Sequence, residues 1–186
     1  VLGDVYYAEA TYLRRRGVPT WGVFTDKAKQ GGGPLIDIGT HALDLTLFLM
    51  NNYDVDYVCG TSFEKLGHTL DAKHQGQVNY RGEFDTWNNE TYDVEDSAVG
   101  FIKMKNGATI FLEASWALNT LLANEAKTLL CGTKGGADML GEGGALRING
   151  EKYSKLYTEI PDLKASGAAF FEGVSDNPAE VEARMW

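Results

Sequence analysis

Asp37 and His41 are the two side chains whose types and spacing best suit chemistry. Four residues apart on a helix, they share one face. The segment opens directly after Gly31-Gly32-Gly33, so both fall in its first two turns. A helix N-terminus carries positive partial charge, which suits a carboxylate that meets a substrate hydroxyl. Histidine is the side-chain type whose ordinary pKa lies nearest neutrality, so His41 is suited to moving a proton at pH 7. Asp44, three residues beyond, orients the ring or serves a structural role. On spacing alone, a satisfied core histidine beside a dipole-stabilising aspartate is the commoner arrangement.

Other candidates are weaker. The three glycines could present backbone amides to an anion. They form neither G-x-G-x-x-G nor a Walker loop, and Pro34 removes one donor, so a flexible turn is the simpler reading. Arg14, Arg15 and Arg16 stand out in an acidic chain and could hold a carboxylate or phosphate. Trp21 could stack on a sugar ring or plug the core. His68, Asp71 and His74 are suitable ligand types without a metal-site spacing, so no metal is expected. Phe101, Phe111 and Trp116 fall at strand spacing and read as core or interface.

These side chains need elements to hold them. Asp4 to Leu13 is rich in Tyr, Val and Thr and predicts a strand. Trp21 to Gln30 reads as a loop. Pro34 suits a first helical turn, and Ile38, Ala42, Leu45 and Leu49 form one apolar stripe. Asp37, His41, Asp44 and Phe48 form another, and Asn51-Asn52 ends the helix. So apolar a helix is expected to be buried. Asp56 to Phe63 predicts a strand. Val94 to Met104 and Ala108 to Trp116 flank Asn106-Gly107, which predicts a hairpin with a type I′ turn. Lys127 to Gly132 predicts a strand and Lys134 to Gly144 a glycine-rich turn region. Leu146 to Tyr153, around Asn149-Gly150, repeats the hairpin signature. Asn177-Pro178 announces a helix near the end. The order predicts an α+β domain: an open-faced, mainly antiparallel sheet with helices on one face.

Composition narrows the function. The 186 residues are 44% apolar and 23% charged, the balance of one soluble globular domain. The net charge of −9 disfavours nucleic acid. No run reaches the roughly 18 apolar residues of a membrane span. Two cysteines make no disulfide framework, and a cytoplasmic setting is expected.

GGGPLIDIGTHALDL (31–45) resembles the helix motif of the Gfo/Idh/MocA family of NAD(P)-dependent oxidoreductases. VEDSAVGFIKMKNGATIFLEASW (94–116) is similar to the family's next signature, an E-D pair followed by two strands. The resemblance implies a two-domain enzyme, with residues 1–186 as the C-terminal substrate-binding and oligomerisation domain. Its fold would be like the C-terminal domain of glyceraldehyde-3-phosphate dehydrogenase. The Rossmann glycines and the family's E-K-P lysine are not in this sequence, so NAD or NADP would bind in the parent and not tightly here. The chain alone is then expected to be inactive. By the same resemblance, His41 and Asp37 match the catalytic pair for a sugar or polyol. Thr40, Arg14 and Trp21 are candidate substrate contacts. A homodimer or homotetramer would form through the sheet face. The alternative is a non-catalytic sugar-binding or assembly module of the same fold.

Overall fold

The computed structural model describes residues 1–19, 21–69, 91–140 and 145–161. Its centre is a mixed sheet of eight strands in the order β2-β3-β4-β1-β5-β6-β7-β8. The strands are β1 Val5–Leu13, β2 Val55–Phe63, β3 Ser97–Met104, β4 Thr109–Ser115, β5 Lys127–Gly132, β6 Gly135–Asp138, β7 Arg147–Lys152 and β8 Lys155–Glu159. Among them β1–β4 is the one parallel pair, with Leu13 opposite Ser115. The other pairings are antiparallel, so the α+β reading with a mainly antiparallel sheet holds.

One helical segment lies across the sheet. It starts as a π-helical turn, Leu35–Gly39, and continues as α2, Thr40–Met50. A shorter helix, α1 Lys27–Gln30, precedes it where the sequence reads as loop. Asp26 explains α1, because its side chain accepts the Lys29 N–H as an N-cap. Gly31 closes α1 at φ +93°, a left-handed position natural to glycine. Asn51 ends α2 in the same way, as its type allows.

The core lies between this segment and the even-numbered positions of the central strands. Ala8 and Ala10 of β1, Ile110 and Leu112 of β4, Ile102 and Met104 of β3 and Leu130 of β5 pack with Ala42. A second cluster gathers Val18, Ile38, Tyr92, Val94, Ala114, Trp116 and Ala117 at the end that bears the candidate site. The helix is not buried all round, although its composition predicts that it is. Ile38, Ala42 and Thr46 are buried, while Leu35, Ile36, Phe48 and Leu49 are exposed. A single helix on a sheet covers only the stripe that touches it.

The opposite sheet face is open. Tyr57, Phe101, Phe111 and Tyr7 form a ladder of ring contacts across β2, β3, β4 and β1, with centroids 5.9, 6.4 and 5.4 Å apart. The Tyr7 hydroxyl donates to Glu9 at 2.5 Å, and that bond, with burial, pushes its pKa up to about 12. Burial first, then the neighbouring Glu9 charge, raises the Glu113 carboxyl on the same face. Arg147 forks onto Asp138 at 2.8 and 3.0 Å and ties β7 to β6.

Three turn expectations need correcting. At Asn106-Gly107 only Gly107 has positive φ, so the connection is a three-residue turn and not type I′. Asn106 instead accepts the Ala108 N–H through its side chain. Gly135–Asp138 is a strand within the expected glycine-rich turn, and Asn149-Gly150 runs inside β7. Those glycines face one another across the ladder, Gly135 opposite Gly150. The reversal falls at Tyr153 and Ser154, with φ of +55° and +58°. The expected helix at 177–180 lies outside the described residues, as do Asp71 and His74.

Candidate functional site

The site is assembled where the helical segment begins, above the ends of β1 and β4. Its placement starts at Gly33. A Cβ there would stand 2.0 Å from the Glu95 carbonyl oxygen, so only glycine lets the chain pass this close. The Glu95 carboxylate accepts the Leu35 N–H at 3.2 Å, filling a donor at the start of the π turn. The glycines thus serve a close backbone approach, and a carboxylate occupies the place where an anion would bind.

The next residue, Asp96, is buried and fixes the surrounding chain. One carboxylate oxygen accepts the N–H groups of Lys65, Leu66 and Gly67 at 2.5, 2.5 and 2.9 Å. The other accepts the Ser97 hydroxyl at 3.0 Å. Its carbonyl accepts the Trp116 N–H at 2.9 Å. Burial first, then the charges of Asp96, Glu95 and Glu64, holds the Tyr92 hydroxyl well above the usual tyrosine range.

Asp37 lies in the middle of the π-helical turn and is half-buried. Such single π turns inside helices recur at functional sites. The Trp116 indole donates to Asp37 Oδ2 at 2.9 Å. Trp116 itself is fully buried and meets Phe24 edge-on at 6.3 Å, and Phe24 meets Trp21 edge-on at 5.9 Å. His41, on the first turn of α2, is exposed and has no hydrogen-bond partner among the described residues. Asp44 is exposed and likewise has no side-chain hydrogen bond among them.

The remaining candidates fall nearby to different degrees. Thr40 is exposed, but its hydroxyl donates to the Ile36 and Asp37 carbonyls at 2.8 and 3.1 Å, leaving it lone pairs to offer. Arg14 continues β1 beside the Trp116 end of β4, as the β1–β4 register requires. Its guanidinium lies 5.2 Å from the Tyr12 ring centre, and its Nε is buried with no hydrogen bond among the described residues. Glu125 is 3.4 Å from that Nε. Arg16 is committed to the Arg15 carbonyl and the Asn119 side chain. Trp21 joins the aromatic stack that backs Trp116.

An apolar groove of about 540 Å³ runs beside the helix over β2 and β3, bordered by Leu35, Ile36, Thr40, Val58 and Gly60. Asp37 and His41 do not line it. Among the described residues no three His, Cys, Asp or Glu side chains group to hold a metal ion. No described helix is long and apolar enough to cross a membrane. The sequence presents Glu95 and Asp96 as a paired motif, while what they do to the helix start and to Trp116 shows only in the packing.

Fold and site together define an α+β domain, an eight-stranded mixed sheet crossed by one helical segment that carries Asp37 and His41 at its start. The chain belongs to the Gfo/Idh/MocA family: residues 1–138 match its C-terminal domain. It is 41% identical over 184 residues to D-glucoside 3-dehydrogenase of Escherichia coli (strain K12), covering 97% of this chain and 50% of that protein. The chain therefore spans about half the length of that curated relative. Among solved structures, an oxidoreductase domain protein from Kribbella flavida superposes with a TM-score of 0.61 at 23% identity, over 86% of this chain and 41% of that one. Levoglucosan dehydrogenase in complex with NADH and L-sorbose gives 0.62 at 18%, over 86% and 40%. At such identities these superpositions establish the shared fold.

Proposed function

We propose that this chain is the substrate domain of an NAD(P)-dependent dehydrogenase that oxidises a sugar or polyol hydroxyl, with His41 moving the proton. The observation that carries the reading is an Asp/His pair at the start of one helix, with Asp37 held by Trp116. Two relatives named D-glucoside 3-dehydrogenase and levoglucosan dehydrogenase support the substrate class. The described residues do not fit a dinucleotide site of their own. They show no Rossmann glycine fingerprint, and Glu95 fills the donor at the helix start. The nicotinamide, which accepts hydride, belongs to another part of the parent protein.

Within this chain the division of labour is clear. His41 takes the hydroxyl proton at an imidazole nitrogen during oxidation and returns it during reduction. Its exposure lets it exchange that proton with solvent between turnovers. Asp37 accepts a hydrogen bond from substrate through the oxygen that Trp116 leaves free. Arg14, Thr40 and Trp21 form the outer contacts, with Arg14 suited to an oxygen-rich ligand.

The test is His41→Ala in the full reading frame that carries this chain, recovered by sequencing upstream of Val1. Turnover of a D-glucoside with NAD⁺ or NADP⁺ is expected to fall by about 10²- to 10⁴-fold, with substrate binding little changed. Unchanged turnover would end the assignment and favour a non-catalytic sugar-binding module. A second copy covers the open face, because the aromatic ladder leaves apolar surface unsatisfied there. Light scattering is expected to give a dimer or tetramer, and a clean monomer counts against that arrangement.

A further inference from the structure

We infer that Trp116 is the positioning residue of the site: its indole N–H fixes Asp37 so that the free carboxylate oxygen faces substrate. The inference rests on the proposed role of Asp37 and adds the group that sets its geometry. Trp116 is fully buried, among Val18, Ile38, Val94, Ala114 and Ala117. Its backbone N–H is held by the Asp96 carbonyl at 2.9 Å. The indole therefore cannot swing, and its N–H is a donor fixed in space.

The chemistry of that donor matters. An indole N–H donates and cannot accept, so it engages one lone pair and leaves the rest of the carboxylate as acceptor. It holds Oδ2 at 2.9 Å, while Oδ1 has no partner among the described residues. Helical spacing places the Asp37 backbone but leaves its side chain free to rotate. The bond across 79 residues of sequence removes that rotation. Holding an acceptor within a narrow range of orientations is what lets a hydroxyl bind already aimed at its base. A tryptophan serving packing alone could give its N–H to any backbone carbonyl nearby. Here it reaches a half-exposed carboxylate in the π turn.

A double-mutant cycle in the full-length enzyme tests this, with levoglucosan and methyl β-D-glucoside as probes and both nicotinamide cofactors. Trp116→Phe removes the N–H and keeps a ring. Trp116→benzothienylalanine keeps the bicyclic shape as well, so it covers the case in which phenylalanine fails to fold. Either variant is expected to lower kcat about tenfold to hundredfold, the loss typical of a hydrogen bond to a charged group. KM should stay within about threefold, the sign of an interaction that matters in the transition state. Combined with Asp37→Asn, the tryptophan variant should add little further loss, because both act through one contact. In the folded protein, the Trp116 indole ¹⁵N–¹H resonance should shift in Asp37→Ala and stay in place in Asp44→Ala.

Full additivity in the cycle, or wild-type kcat in the benzothienylalanine variant, overturns the role of Trp116 and leaves Asp37 standing. An indole resonance indifferent to Asp37→Ala overturns it too. Wild-type turnover in Asp37→Asn removes the reading of Asp37 itself, and the inference falls with it.

Discussion

Gly33→Ala is the smallest change that should disturb both the fold and the site. The added Cβ would lie 2.0 Å from the Glu95 carbonyl oxygen and 3.2 Å from Glu95 Cδ. Real Cβ atoms do not come within 3.0 Å of another heavy atom, so one backbone must retreat by at least about 1 Å. Three things depend on Glu95 staying in place. Its carbonyl accepts the Tyr92 hydroxyl at 3.2 Å, its carboxylate accepts the Leu35 N–H, and its neighbour Asp96 anchors Trp116. Overpacking costs about 1–3 kcal/mol, and a weakened hydrogen bond adds about 1 kcal/mol, giving a destabilisation of about 2–4 kcal/mol. Gly107→Ala is the control. That glycine has φ +94° with nothing within 4 Å, so only the left-handed backbone resists a side chain, at about 1–2 kcal/mol. Urea unfolding of both variants measures the difference. Gly33→Ala should be the less stable, and in the full-length enzyme it alone should lose turnover, because the π turn bearing Asp37 starts two residues on. Equal midpoints with normal turnover would refute the claim that Gly33 exists for close approach.

Two further outcomes follow from local geometry. Tyr153 and Ser154 carry the β7–β8 reversal with both φ values positive, a type I′ signature filled by residues that resist it. Replacing them together, Tyr153→Asn with Ser154→Gly, should stabilise by about 1 kcal/mol in thermal or urea unfolding; a loss of stability would show that the Lys152 contact with the Tyr153 ring governs the turn. Glu113 has its carboxyl raised by burial first and then by Glu9. Its favourable contribution is therefore present below the unfolded pKa and lost as pH rises through the folded one. Glu113→Gln should gain a few tenths of a kcal/mol at pH 7, since solvent screens so exposed a group, and nothing at pH 4. An equal gain at both pH values would rule out charge as the cause.

The parts of this fold that sequence reveals are those governed by short-range pattern. Tyr, Val and Thr mark β1, alternation on either side of Asn106-Gly107 marks β3 and β4, and Pro34 with the Asn51-Asn52 stop brackets the helical segment. The parts it conceals depend on distant partners. Gly135–Asp138 has the composition of a turn, yet it is a strand because β5 and β7 pair with it on both sides. Asn149-Gly150 has the best turn signature after Asn106-Gly107, yet β6 and β8 hold it extended. The π turn has no composition signal; it begins where the chain passes close to Glu95, whose carboxylate accepts the Leu35 N–H. Type and spacing single out Asp37 and His41 as candidates, and the structure sets both at the start of one helical segment. The Trp116–Asp37 bond is not legible, because a tryptophan at strand spacing looks the same whether its N–H meets a backbone carbonyl or a carboxylate.

The two members of that pair are held in opposite ways, and the contrast bears on mechanism. Asp37 is tied through Trp116 and Asp96 to the ends of β3 and β4, inside the sheet. His41 stands on the same segment, exposed and unpartnered among the described residues. A group that orients substrate gains from rigidity, because every degree of lost rotation is removed before the substrate arrives. A group that shuttles a proton must reach the substrate and then water, so a fixed partner would impede it. One helix start can serve both needs because its N-terminal turn is pinned by Glu95 and the indole, while the next turn projects free of them. The E-D motif and the terminal tryptophan of the hairpin are thus parts of one clamp. On the proposed reading, that clamp holds the acceptor still beside a base that can turn.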